Sequence, residues 1–123
     1  MLEFRIDKPT PLSNKWLRTH YHEKKKIMQE FMWLVKAACR IPETPIDSCV
    51  IEVDRYSAGD PDWDGLYGGL KPLLDVLVIP TKRNPCGLGI IVDDNTKIIK
   101  DLRAKPYRAK RKEGYTVVRI IEV

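Results

Sequence analysis

Hydrophobic and polar positions follow two different periods along this chain, and each change of period marks an element. Leu2, Phe4 and Ile6 alternate with Glu3, Arg5 and Asp7, the pattern of a strand with one buried face. Pro9 and Pro11 end it, and Pro11-Leu12-Ser13-Asn14 reads as a loop. From about Thr19 to Arg40, Ile27, Phe31, Leu34 and Ala38 recur at helical spacing with Met28 and Val35 beside them, which predicts one long helix with a single apolar face. Pro42 and Pro45 close that region. Residues 49–56 return to the strand period, with Cys49, Ile51 and Val53 on one side. After the loop-like run Ser57–Gly65, Leu66, Leu70, Leu73 and Leu77 form an apolar helical face. Asp64, Gly68, Lys71 and Asp75 repeat that spacing two residues earlier, a rotation of about 200°, and so belong to the opposite face. Pro72 predicts a kink in this helix. A helix that begins near Lys71, with Pro72 in its first turn, is the alternative.

Residues 80–89 read as a loop, and Ile90-Ile91-Val92 leads into Asp93-Asp94. The last third reads as a strand (about 97–104), a basic turn and a strand (about 115–123). Four strands and two main helices in mixed order predict an α+β domain with a mixed or largely antiparallel sheet. No repeat or linker divides the 123 residues, so one domain, 1–123, is expected. No apolar run approaches the roughly 20 residues that span a bilayer, so no membrane partner is expected. The N-terminal run has no charged leader followed by an apolar stretch. Cys39, Cys49 and Cys86 are an odd set without CxxC spacing. Both features fit a cytoplasmic protein with reduced thiols.

Charge changes the picture more than composition does. Of 22 basic residues, six (Arg103, Lys105, Arg108, Lys110, Arg111 and Lys112) stand between positions 103 and 112 with no acid among them. The other 16 face 17 acids. The basic excess is therefore local, the footprint of a surface for a polyanion such as nucleic acid. A solvated polar hairpin is the alternative.

The acids cluster as well. Asp60, Asp62 and Asp64 alternate, and Asp93-Asp94 form a second group. Carboxylate-rich sites suit hard dications such as magnesium or manganese. A calcium loop starting at Asp60 needs a bidentate Glu at its twelfth position, where this chain has Lys71. A nucleophilic aspartate would follow a buried apolar strand directly, which Ser-Ala-Gly-Asp-Pro does not provide. Metal-dependent phosphodiester hydrolysis fits better, because it uses carboxylates to hold the cation and a lysine to stabilise developing charge. A solvated turn whose acids cap the next helix is the structural alternative.

The run Asp62-Trp-Asp64-Gly-Leu-Tyr-Gly-Gly-Leu-Lys71-Pro-Leu-Leu-Asp75, with the later Gly89-Ile-Ile-Val-Asp93-Asp94, resembles the RusA family of Holliday junction resolvases, common in phages and prophages. The N-terminal strand and the Pro11–Asn14 loop also look like the family, so the similarity spans nearly the whole chain. The resemblance implies a homodimeric, magnesium-dependent endonuclease (manganese being a possible substitute) that cuts four-way, branched DNA in a bacterial or phage-infected cell. It implies Asp62, Asp64 and Asp94 as metal-binding carboxylates, Asp94 being taken over Asp93, and Lys71 as the catalytic lysine. Two departures stand out: Gly65 replaces the family's Asn, and the gap from Asp64 to Lys71 is long. The runner-up is a catalytically weak nucleic-acid-binding protein with the same fold.

Asn14, Arg18, Arg103, Lys105, Arg108, Lys110, Arg111 and Lys112 are the expected DNA contacts. Lys24–Lys26 with His20 and His22 either extend that surface or form a solvated helix face. Asp75 is expected to pair with Lys71 one turn away, with a place at or behind a metal as the alternative. Gly68-Gly69 permits a close backbone approach to DNA or to a partner helix, or is merely tolerated by packing. Trp63 is expected to pack its loop against the core, with base stacking as the alternative.

Overall fold

The computed structural model describes residues 1–123. The first strand period becomes β1 (Leu2–Ile6), followed by α1 (Ser13–Arg18) and α2 (Tyr21–Ala38). Next come β2 (Cys49–Ser57), α3 (Trp63–Gly68), α4 (Lys71–Leu77), β3 (Ile99–Arg108) and β4 (Tyr115–Glu122). The strands form one mixed sheet in the order β1-β4-β2-β3, and the fold is α+β. β4 pairs antiparallel with both β1 and β2, whereas β2 and β3 run parallel.

Alternation decides what is buried. Phe4 and Ile6 of β1, Cys49, Ile51 and Val53 of β2, Ala104 of β3 and Val118 and Ile120 of β4 share the inner face. α2 seals it with Phe31 and Val35, and Leu66, Leu70, Leu73 and Leu77 are all buried against the same core. Ala38, expected on the apolar face of α2, is exposed instead.

Three local expectations are corrected. Ser13 and Asn14, read as loop, open the short helix α1. The kinked helix is two helices, and α4 starts at Lys71 with Pro72 in its first turn, where its missing N–H would have had no partner. Gly69 and Leu70 both keep right-handed helical angles, so the leucine face continues in phase across the break. The third correction is topological. β3 and β4 do not form a hairpin, because β2 lies between them. Their connection crosses the end of β2, where the Ala109 N–H donates to the Ser57 carbonyl at 3.0 Å.

The outer face of the sheet is polar. Arg119 sits among Glu3, Glu52 and Asp54 at 3.6, 3.3 and 2.7 Å. The rings of Tyr107, Tyr56 and Tyr115 stack across three strands, and the Arg5 guanidinium lies 3.7 Å from the centre of the last ring. Cross-strand pairs of this type hold a sheet whose outer face carries few aliphatic residues. No helix is long and apolar enough to cross a membrane.

Candidate active site

Asp62 ends the loop after β2 and caps α3: its Oδ1 accepts the Gly65 N–H at 2.7 Å. A Cβ at position 65 would lie 2.6 Å from that oxygen. The capping carboxylate thus takes the space in which a side chain at position 65 would start, a physical account of the glycine. Asp64 stands in the first turn of α3, exposed and without a hydrogen-bond partner. Trp63 does not pack the loop down. It is 63% exposed, and its ring centre lies 6.4 Å from that of Tyr67. Tyr67 ties α3 to the sheet, its hydroxyl oxygen accepting the Ala104 N–H at 3.0 Å.

Lys71 opens α4, and its Nζ donates to Asp75 Oδ1 at 2.9 Å, the expected pairing one turn apart. The chain that carries Asp93 and Asp94 is bolted beside the same helix. The N–H groups of Ile90 and Ile91 both donate to the Leu77 carbonyl, at 2.9 and 3.0 Å, and the Val92 N–H donates to the Ile46 carbonyl at 2.9 Å. Lys71, Asp75, Asp93 and Asp94 consequently line one open cavity of about 420 Å³ together with Thr81 and Asn84. Sequence reasoning missed Asn84, whose amide donates to the Asp75 carbonyl at 2.6 Å. Its one sequence signal was a polar residue amid the turn-rich loop 80–89.

The two later acids divide their roles. Asp93 closes a turn, accepting the Asp94 N–H at 2.8 Å and the Asn95 amide at 3.2 Å. Asp94 is the half-buried one, its carboxyl beside that of Asp93. Burial and the neighbouring Asp93 push its carboxyl above the usual range, and Lys71 opposes them. The hydrogen bond to Asp75 holds the Lys71 ammonium above its ordinary value, and Asp94 and Asp93 add to this.

Asp62 and Asp64 do not line this cavity. No three His, Cys, Asp or Glu side chains stand together as an ion-holding group. The structure therefore gathers Lys71, Asp75, Asp93 and Asp94, and leaves the first acidic pair apart at the start of α3. The donor chemistry still suits a hard dication, because every candidate ligand is a carboxylate oxygen and Asp94 carries charge that its surroundings disfavour.

The basic segment is split by its own geometry. Arg103 is engaged by Asp101 at 2.7 Å and Glu52 at 3.6 Å, and Arg108 is paired with Asp60. Lys105, Lys110, Arg111 and Lys112 are exposed, the last three in the loop across the end of β2. Asn14 and Arg18 are exposed on α1, which packs against α3. His20 caps α2, accepting the His22 N–H at 3.3 Å, and Lys24 lies 5.2 Å from the centre of the Trp16 ring. Lys25 and Lys26 are solvated.

No protein-family model matches the chain, and no curated protein matches it either.

A pH dependence follows from Asp94. Its carboxyl binds a proton more tightly folded than unfolded, so its stabilising contribution is complete below the unfolded value of about 3.9. That contribution is lost as pH rises through the raised folded value. In metal-free buffer Asp94→Asn should melt higher than wild type at pH 7, and this advantage should disappear near pH 3. Thermal melts at the two pH values check this, and a variant that melts lower at pH 7 would refute it.

Proposed function

We propose that this chain is a metal-dependent, structure-specific endodeoxyribonuclease that acts on four-way DNA junctions as a homodimer. The observation that carries the reading is the cavity where Lys71 of α4 meets Asp94 from a distant segment. Phosphodiester hydrolysis uses such groups, carboxylates to hold a cation and a lysine to stabilise developing charge. The resemblance to RusA resolvases adds Asp62 and Asp64, whose α3 leads directly into the helix bearing Lys71.

The resemblance assigns magnesium or manganese to Asp62, Asp64 and Asp94, of which only Asp94 lines the Lys71 cavity in this structure. When bound, the ion supplies Lewis acidity and a hydroxide near neutral pH. Lys71 is positioned to stabilise charge that develops on the phosphate oxygens, and Asp75 holds its ammonium in place. Lys105 and Lys110–Lys112 would meet the DNA backbone as cations without carboxylate partners. A two-fold dimer would set two such sites against a two-fold substrate, matching the paired cuts that resolution needs.

A labelled four-way junction, incubated with protein in magnesium or in EDTA beside a duplex control, tests the proposal. Paired magnesium-dependent nicks near the branch point are expected. The second reading, a nucleic-acid-binding protein with little catalysis, is favoured by the missing three-acid array. It would show as tight junction binding with no cleavage in either buffer.

The basic loop gives a separate prediction. Replacing Lys110, Arg111 and Lys112 by Ala should weaken junction binding and lower the log–log salt slope by about 0.9 for each phosphate left without its cation. Gel shifts over a salt series measure both quantities, and an unchanged slope would show the loop to be solvated only.

A further inference from the structure

The strand alternation that buries Cys49, Ile51 and Val53 also turns Arg55 inward, where it is 8% exposed. A guanidinium has five N–H donors and stays charged in proteins. Here Nε donates to the Thr10 carbonyl at 2.6 Å and one Nη to Ser57 Oγ at 2.6 Å. Both partners are neutral, and Arg55 makes no pairing with a carboxylate. Burial pulls its affinity for the proton below the ordinary arginine value. A buried cation without a counter-charge is costly, and such groups are normally paired.

Arg55 lines a cavity of about 270 Å³ beneath the loop between β1 and α1. Lys8 and Lys15 also line it, and no acidic residue does. Lys8 is satisfied by Glu30 at 2.9 Å, whereas Lys15 forms no ion pair. Thr10 also borders the cavity, but its hydroxyl has no accessible surface and does not reach it. A buried cation without a counter-charge and a lysine without an ion pair, both on one acid-free cavity, have a common remedy. A tetrahedral oxyanion offers acceptor oxygens to both, and a guanidinium fork suits its geometry.

We propose that this cavity is a binding site for a phosphate group, held by Arg55 and Lys15. The group is either free phosphate or a phosphate of a DNA backbone. The site is separate from the Lys71 cavity, and the inference does not rest on the nuclease reading.

Thermal melting of the full chain in rising inorganic phosphate, with chloride holding ionic strength constant, tests the site. A ligand bound only by the native state should raise the melting temperature with phosphate concentration. Lys15→Ala changes an exposed residue, so its melting temperature without phosphate should stay near wild type. Its apparent phosphate affinity should fall by about tenfold, the size of one charge-assisted hydrogen bond. A wild type that melts alike in phosphate and chloride would overturn the site, as would equal phosphate responses in wild type and Lys15→Ala.

The source is read from junction binding. If a backbone phosphate occupies the cavity, Lys15→Ala should lower the salt slope by about 0.9 and free phosphate should compete with DNA. If the slope is unchanged and phosphate still stabilises, the occupant is free phosphate. A protein that answers to phosphate but cuts no junction would sink the nuclease reading and leave this one standing.

Discussion

Asp64→Asn is expected to reduce magnesium-dependent cleavage of a four-way junction by on the order of a hundredfold to a thousandfold, a size typical of deleting one group that stabilises transition-state charge. Junction binding should remain, or tighten slightly, because an uncompensated carboxylate repels phosphate. The substitution should barely affect the fold. Asp64 is exposed and makes no hydrogen bond, and its main structural contribution is its place in the first turn of a six-residue helix. Lys71→Ala should behave differently, losing both rate and affinity. It removes a cation from the surface and leaves Asp75 and Asp94 facing the cavity without it. Gel shift and cleavage on one labelled junction, with wild type and both variants, separate the effects. If Asp64→Asn cuts at the wild-type rate in magnesium, the acidic pair at the start of α3 has no part in catalysis.

Gly69→Ala should be the most damaging single methyl in the chain. A Cβ there would stand 1.7 Å from the Pro11 carbonyl oxygen and 2.7 Å from its carbon. Both are backbone atoms, so the β1–α1 loop or the α3–α4 junction would have to move. Overpacking of this type typically costs about 3 kcal/mol, on the order of 10 °C in melting temperature for a domain of this size. Gly68→Ala should cost less. Its Cβ would meet the Ser13 side chain at 2.7 Å, which can shift, and alanine favours the helix. Gly59→Ala, with nothing nearby, is the neutral control. Thermal unfolding of the three variants checks this order, and equal melting of Gly59→Ala and Gly69→Ala would contradict the close approach. Gly69 therefore serves a close backbone approach, made to the β1–α1 loop, whereas Gly68 meets only the Ser13 side chain.

Local periodicity carried a long way in this protein. The leucines at 66, 70, 73 and 77 announced their burial because a helix returns to one face at that spacing, and the phase survived a break that Pro72 only hinted at. The alternation through Cys49, Ile51 and Val53 likewise marked the inner face of β2. Extended by one step it would have marked Arg55, a charge on the buried side of a strand. The pairing of Lys71 with Asp75 was legible for the same reason, as a contact one helical turn long. What periodicity could not supply was anything that depends on which segments meet. Two strands joined by a basic turn read as a hairpin, yet β2 comes between them because strand order is set by packing of the whole sheet. The segment carrying Asp93 and Asp94 reaches Lys71 only because the end of α4 offers the Leu77 carbonyl to Ile90 and Ile91. The basic run gave up Arg103 mainly to Asp101, two residues away on the same strand, and Arg108 to Asp60, which tertiary structure brought alongside. Side-chain spacing within one element is fixed by backbone geometry, so sequence alone determined the faces. Contacts between elements depend on how those faces pack, and tertiary structure alone decided the cavity at Lys71 and the acid-free pocket at Arg55.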